Sequence, residues 1–233
     1  MPRPRVAVVI PAFNERASLP LVVGAIPARV ADEIVVVDNG STDGTADVAR
    51  TLPVRLVEAS RRGYGSACLA GVRALEAAPP DVLVFLDADF SDRPEEMPLL
   101  LEAIAGGADL AVGSRVLGHR EKGALLPQAR FGNALACGLI RLLHGHRYTD
   151  LGPFRAIRWE AYGRLGMEDP DFGWTCEMQV KALRFGLRVV EVPVSYRRRV
   201  GRSKISGTVA GSLRAGAKIL WTIARHGRRG SRR

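Results

Sequence analysis

Val82-Leu83-Val84-Phe85-Leu86-Asp87-Ala88-Asp89 is the stretch that decides the fold. An apolar run without polar alternation predicts a strand over 82–86 buried on both faces, as in a parallel sheet. Two carboxylates leave it at its carboxyl end, the edge where open α/β sheets bind ligands. In extended geometry Asp87 and Asp89 share parity and therefore one face. Hard oxygen donors held together suit Mg²⁺ or Mn²⁺ and leave positions open for water and phosphate. The same residues also fit solvated carboxylates capping a helix that begins at Pro94-Glu95-Glu96.

Two more strand ends favour the first reading. Glu33-Ile34-Val35-Val36-Val37 ends in Asp38-Asn39-Gly40-Ser41-Thr42-Asp43-Gly44-Thr45, and Arg5-Val6-Ala7-Val8-Val9-Ile10 ends in Pro11-Ala12-Phe13-Asn14-Glu15. Acidic or amide groups at all three ends point to one shared nucleotide and metal site. Strands at 5–10, 34–37, 54–58, 82–86 and 109–113 alternate with helices at 17–26, 44–51, 64–77 and 94–105. This alternation predicts an α/β single domain whose mainly parallel sheet is flanked by helices. Residues 115–225 form a less regular second half. It has an apolar helix over 127–143, a loop and strand within 149–157, and a helix over 175–185. A strand over 188–196, a basic loop over 197–206 and a helix over 207–225 follow. Residues 226–233 read as a basic disordered tail.

The chain has 233 residues, 47% of them hydrophobic, enough for the core of one domain. Its three cysteines, Cys68, Cys137 and Cys176, lack paired spacing and read as free thiols of a reducing cytoplasm. The histidines have no zinc-protease spacing. A net charge of +10 implies an anionic partner. Nucleic acid is not expected, since aromatic residues are only 6% and no nucleic-acid motif is present. An anionic membrane surface would attract the basic tail at about 1 kcal/mol per residue; the tail also fits a merely solvated segment. Ile205 to Ala224 is interrupted by Arg214 and Lys218, so no stretch reaches the ~18–20 uncharged apolar residues of a membrane span. No secretory signal precedes the first strand. The expected location is cytoplasmic, peripheral on the inner membrane face.

The three strand-end motifs resemble the nucleotide-sugar-binding motifs of family-2 glycosyltransferases, which have the A-type, Rossmann-like fold. Gly113-Ser114-Arg115, Asp150-Leu151-Gly152-Pro153-Phe154-Arg155-Ala156-Ile157 and Gly201-Arg202-Ser203-Lys204 resemble the polyprenyl-phosphate (dolichyl-phosphate type) mannosyl- and glucosyltransferases. The resemblance spans roughly residues 4 to 206. It implies that 1–114 is the nucleotide-sugar half and 115–225 the acceptor half. It also implies an inverting transfer of a hexose from a UDP- or GDP-sugar, most plausibly to polyprenyl phosphate.

Breaking a sugar–diphosphate bond develops charge on the leaving group, which a divalent ion or fixed cations must stabilise. Asp89 is the first metal candidate, with Asp87 on the metal or the ribose and Ala88 between them. Asp38 is placed to bind base or ribose through N–H or O–H donors. The resemblance gives similar donor roles to Pro11, Ala12, Asn14 and Glu15. Gly40 belongs to the second motif. Arg61 and Gly63, in Arg61-Arg62-Gly63-Tyr64-Gly65, resemble a nucleotide-proximal loop. By resemblance, Arg115 and Arg130 hold the acceptor phosphate, and Arg202 and Lys204 close over the donor diphosphate. Two positions depart from the polyprenyl-phosphate pattern: Ala134 replaces a hydroxyl residue and Ser91 a glutamine. A hydroxyl acceptor would need a general base, for which Asp150, Asp171 and Glu177 are candidates, whereas a phosphate monoester is already ionised. The alternatives are therefore a hydroxyl acceptor in the same family, a nucleotidyltransferase, or a basic nucleic-acid-binding protein. Helix 127–143 is either core or an interfacial helix with Phe131, Leu135, Leu139 and Leu142 on lipid.

Overall fold

In the computed structural model the described residues are 3–201 and 209–227, with the side chains of 209–215 excepted. The strands are β1 (Val6–Ala12), β2 (Glu33–Asp38), β3 (Arg55–Glu58), β4 (Val82–Phe85), β5 (Leu110–Ser114), β6 (Arg155–Arg158) and β7 (Val189–Pro193). They form one sheet in the order β3-β2-β1-β4-β6-β5-β7. Strand β6 runs antiparallel to β4 and β5, and the other pairings are parallel. The helices are α1 (Leu19–Ala25), α2 (Thr45–Thr51), α3 (Tyr64–Leu75), α4 (Met97–Ala105), α5 (Pro127–His144), α6 (Trp159–Leu165), α7 (Trp174–Arg184) and α8 (Val209–Gly227).

The period of two along β1 explains the layering. Val6, Val8 and Ile10 pack with α1 and α4, while Ala7 and Val9 pack with α3 and α7 on the other face. A third cluster joins α5, α7 and α8 through Ala136, Ile140, Val180 and Ile223. Both sheet faces are covered, which is why β1, β2 and β4 read as unbroken apolar runs. The order places β2 and β3 on one side of β1 and β4 on the other. The crevice between the carboxyl ends of β1 and β4 is the switch point at which such sheets bind ligands.

Several boundaries differ from the sequence reading. Strand β1 continues through Pro11 and Ala12, and β2 includes Asp38. Strand β4 stops at Phe85, and Ala88 and Asp89 lie in a turn, so the shared parity expected of Asp87 and Asp89 does not apply. The turn closes because the Ser91 backbone N–H (2.8 Å) and hydroxyl (2.5 Å) both donate to Asp89 Oδ1. The expected strand over 188–196 ends at Pro193, beyond which Tyr196 makes single bridges to Asp92 and Arg120. Helix α6 was not expected; it is short and ends at Gly166 in the left-handed conformation. Helix α8 extends to Gly227 and buries His226, so the tail begins later than residue 226. Among the described residues, no helix is long and apolar enough to cross a membrane. The three cysteines are buried and free.

Candidate functional site

The β1–β4 crevice opens into a cavity of about 370 Å³. Pro11, Ala12 and Glu15 line it from the end of β1, and Asp87, Ala88 and Asp89 from the end of β4. Gly63, Tyr64 and Ala67 come from the start of α3, and Asp171, Phe172 and Arg199 close the remaining wall. Gly63 and Gly65 belong here for a steric reason. A Cβ on either would overlap the backbone carbonyl of Pro170 or Asp169, and Gly63 also has φ +138°. The 169–172 loop can therefore lie directly on the start of α3.

The donor set fits a hard divalent cation. Asp87 Oδ1 is buried without a hydrogen-bond partner, and Asp89 Oδ2 already holds a cation, the Arg199 guanidinium at 2.6 Å. Burial, followed by the charge of Asp89, pushes the Asp87 carboxyl up. A divalent ion there would reverse both effects and supply Lewis-acid stabilisation of a leaving diphosphate.

Other expected donor residues shape the cavity without lining it. Asp38 Oδ2 accepts from the Gly40 and Ser41 N–H groups at 3.1 Å each, while its Oδ1 is buried and unpartnered. Gly40 turns the chain at φ +79°. Asn14 Oδ1 accepts from the Thr42 N–H at 2.8 Å, joining the β1 and β2 loops. Arg61 is exposed and contributes its backbone carbonyl to Asn39 Nδ2 (3.1 Å); its neighbour Arg62 reaches the cavity, with its guanidinium 5.1 Å from the Phe13 ring centre. Arg202 and Lys204 lie outside the described residues.

A second cavity, of about 410 Å³, lies between the β5 end and α5. Arg120 and Arg130 line it with Val116, Leu125, Pro127 and Phe131. Arg115 stands beside it, half-buried. Its Nε and Nη2 each donate to Asp150 at 2.8 Å, and its guanidinium lies 5.1 Å from the Tyr196 ring centre. Asn133 Oδ1 accepts from the Leu151 N–H, and Asn133 Nδ2 donates to the Thr149 carbonyl, fixing α5 against the Asp150 loop.

Glu177 is placed differently from the catalytic role expected of it. It is fully buried, pairs with Lys181 at 2.6 Å and accepts from the Asp169 N–H at 2.8 Å. It does not line either cavity. Its position holds the 168–169 backbone, and so the cavity wall. Of the three candidate bases, Asp171 alone lines the first cavity.

The model of glycosyl transferase family 2 matches residues 7–164. The chain belongs to glycosyl transferase family 2. It is 42% identical to an uncharacterized glycosyltransferase of Mycobacterium tuberculosis, over 89% of this chain and 93% of that one. It is 36% identical to an undecaprenyl-phosphate mannosyltransferase of Micrococcus luteus, over 89% and 90%. Its fold matches the crystal structure of glucosyl-3-phosphoglycerate synthase from M. tuberculosis with TM-score 0.76, at 24% identity, over 98% of this chain and 82% of that one. The expected A-type fold is therefore present.

Three tests follow from this geometry. Asp89→Ala removes the first metal candidate, and transfer should fall by about a hundredfold or more while the circular-dichroism spectrum is retained; if a metal is used, excess EDTA should reproduce the loss. Full activity in either case would remove Asp89 or the metal from the reaction. Asp38→Ala should weaken nucleotide-sugar binding by about 1–3 kcal/mol in calorimetry, the cost of an unmet buried partner. Unchanged affinity would place Asp38 outside the donor site.

The third test concerns Asp92, which is buried with both carboxylate oxygens unpartnered. Burial, with the neighbouring Asp87 charge, raises its pKa well above the usual range. A raised folded pKa makes the native state hold the proton longer than the unfolded chain does. This contribution to stability is present below the unfolded pKa and is lost as pH rises through the folded one. Asp92→Asn should therefore raise the unfolding temperature at neutral pH and leave it unchanged near pH 3. Destabilisation at neutral pH would show that the charged carboxylate is compensated.

Proposed function

We propose that this chain is an inverting, metal-dependent glycosyltransferase that moves a hexose from a UDP- or GDP-sugar to polyprenyl phosphate at a membrane surface. The observation that carries the acceptor is the second cavity. Two guanidinium groups, Arg120 and Arg130, stand there among apolar side chains, and the apolar surface continues along α5 through Phe131 (72% exposed), Leu135 and Leu142 (79%). A phosphate head on a hydrocarbon tail has the matching chemistry, since arginine recognises phosphate oxygens and an exposed apolar stripe takes lipid. The name of the Micrococcus relative supports the same acceptor and makes mannose the first sugar to test.

The acceptor phosphate oxygen attacks the anomeric carbon of the donor sugar, whose bond to the diphosphate breaks. The phosphate is ionised at neutral pH and needs no base. This agrees with the engagement of Asp150 by Arg115 and of Glu177 by Lys181. On the donor side, Asp87 and Asp89 would hold Mg²⁺ or Mn²⁺, Asp38 the base or ribose, and Arg62 would face the phosphates. Arg115 is rigidly held by Asp150 and would meet the acceptor phosphate with Arg130 and Arg120. A hydroxyl acceptor is the second reading, favoured by Asp171 in the donor cavity, where a carboxylate could accept the proton.

Membrane attachment would rest on the α5 stripe and the cations near it. Lys218 and Arg225 on α8 are engaged by Asp169 (2.9 Å) and Glu168 (3.1 Å). Co-sedimentation with liposomes should require anionic lipid and weaken with salt, because screening shortens to about 8 Å at physiological ionic strength. Phe131→Ser with Leu142→Ser should reduce sedimentation more than transfer to a short-chain acceptor in detergent. Arg130→Ala should raise the KM for that acceptor. With labelled sugar donor, the product should partition into the organic phase. If donor binds and no prenyl phosphate is glycosylated, the lipid reading fails, and loss of activity in Asp171→Asn would then support a hydroxyl acceptor.

A further inference from the structure

Arg199 occupies the position where a cation is needed. Its Nη2 lies 2.6 Å from Asp89 Oδ2 and 3.5 Å from Glu15 Oε1, bridging the ends of β4 and β1. Asp89 Oδ1 is committed to Ser91, so Oδ2 is the oxygen that metal and guanidinium would share.

The loop carrying Arg199 is strapped to the same turn by backbone bonds. The Val200 N–H donates to the Asp89 carbonyl (3.0 Å), and the Arg197 N–H donates to the Ser91 carbonyl (2.9 Å). Arg197 adds a bond from its Nε to the Phe90 carbonyl at 2.7 Å. The backbone beside Arg199 is thus fixed within reach of Asp89, while its side chain is 31% exposed on the cavity wall. Moving the guanidinium needs a rotamer change and no loop opening. The present pose is also incompletely satisfied, because Arg199 Nε is buried without a partner. A new anion in the cavity would satisfy this unmet donor.

We propose that Arg199 is a resident counter-cation that neutralises Asp89 and Glu15 before the donor binds, yields Asp89 to the divalent ion, and turns to the donor diphosphate. The inference rests on the metal site proposed above and is independent of the acceptor. It has a thermodynamic consequence. A metal ion binding alone must displace a guanidinium from its shorter pair and leave it with only the longer contact to Glu15. A nucleoside diphosphate provides a new anion. Arg199 therefore couples metal and nucleotide binding, and the coupling is reciprocal.

The test is Mn²⁺ binding, read from the electron paramagnetic resonance signal of free Mn²⁺, with and without UDP or GDP. Arg199→Gln should bind Mn²⁺ about fivefold or more tightly than wild type without nucleotide, and lose most of the strengthening that nucleotide gives, a change within the usual range of coupling between sites. Arg199→Lys keeps a competing charge and should stay near wild type. Arg62→Gln removes a cavity cation whose guanidinium bonds a backbone carbonyl, at Gly40, and should tighten Mn²⁺ much less. Equal tightening by Arg62→Gln would reduce the effect to net charge and overturn the proposal. Unchanged Mn²⁺ affinity in Arg199→Gln would overturn it too, leaving the metal site standing. Absence of Mn²⁺ binding in wild type, with or without nucleotide, would remove the metal site and this role together. In the wild-type chain, independent of any variant's folding, the Arg199 Nε–H nuclear magnetic resonance signal should shift when Mg²⁺ and diphosphate are added together. A signal that does not move would overturn the proposal.

Discussion

The site is organised around carboxylates clustered at the carboxyl end of β4. Asp87, Asp89 and Asp92 lie within one short turn, and Glu15 faces them from β1. Burying an uncompensated carboxylate costs several kcal/mol, so each must be neutralised, hydrogen-bonded or protonated. The structure uses the first two at Asp89. Asp89 takes a guanidinium and two donors from Ser91. Asp87 and Asp92 have buried oxygens without partners, and their pKa values rise. A stable core would not retain such an arrangement for its own sake, since an apolar replacement of similar shape is often no less stable. The unmet demand for positive charge is the physical content of the site.

The antiparallel strand β6 organises the other half. Inserted between β4 and β5, it brings the Asp150 loop to the end of β5, where Asp150 takes Arg115 in a two-point ion pair. Arg155, at the start of β6, is fully buried without a carboxylate partner among its hydrogen bonds. It donates to the carbonyls of Thr175 (2.9 Å) and Gly152 and lies 6.0 Å from the Trp174 ring centre. Its terminal nitrogens satisfy backbone carbonyls that would otherwise be orphaned, while its buried Nε has no partner. It ties the β6 strand, the Gly152 loop and α7 into one unit behind both cavities.

Much of this was legible in the chain, and the exceptions have physical causes. The apolar runs of β1, β2 and β4 identify buried strands because both faces are covered. Their acidic ends identify the ligand edge. The sequence places a strand at β6 but not its direction, since a four-residue strand carries no mark of its orientation. Arg61 and Arg62 are adjacent in a loop, and only the Phe13 ring decides which of them faces the cavity. Glu177 precedes Lys181 by four residues on a helix, a spacing that signals an ion pair. Arg199 sits in a run of three arginines, and only the backbone strap to the Asp89 turn distinguishes it.

The strap and α8 together link the two halves of the site. Lys218 and Arg225 hold Asp169 and Glu168, Glu177 holds the backbone between them, and Pro170 rests on the start of α3. The first cavity therefore has one wall next to residues that α8 contacts, and α8 also packs on α5 beside the second cavity. A displacement of α8 relative to α7 would break the ion pair to buried Asp169 and the exposed pair to Glu168, next to Asp171 and Phe172 of the first cavity. Packed ion-pair contacts of this kind exchange between discrete arrangements more readily than they deform. The two cavities thus share a structural support, although they lie at different strand ends and are lined by different residues.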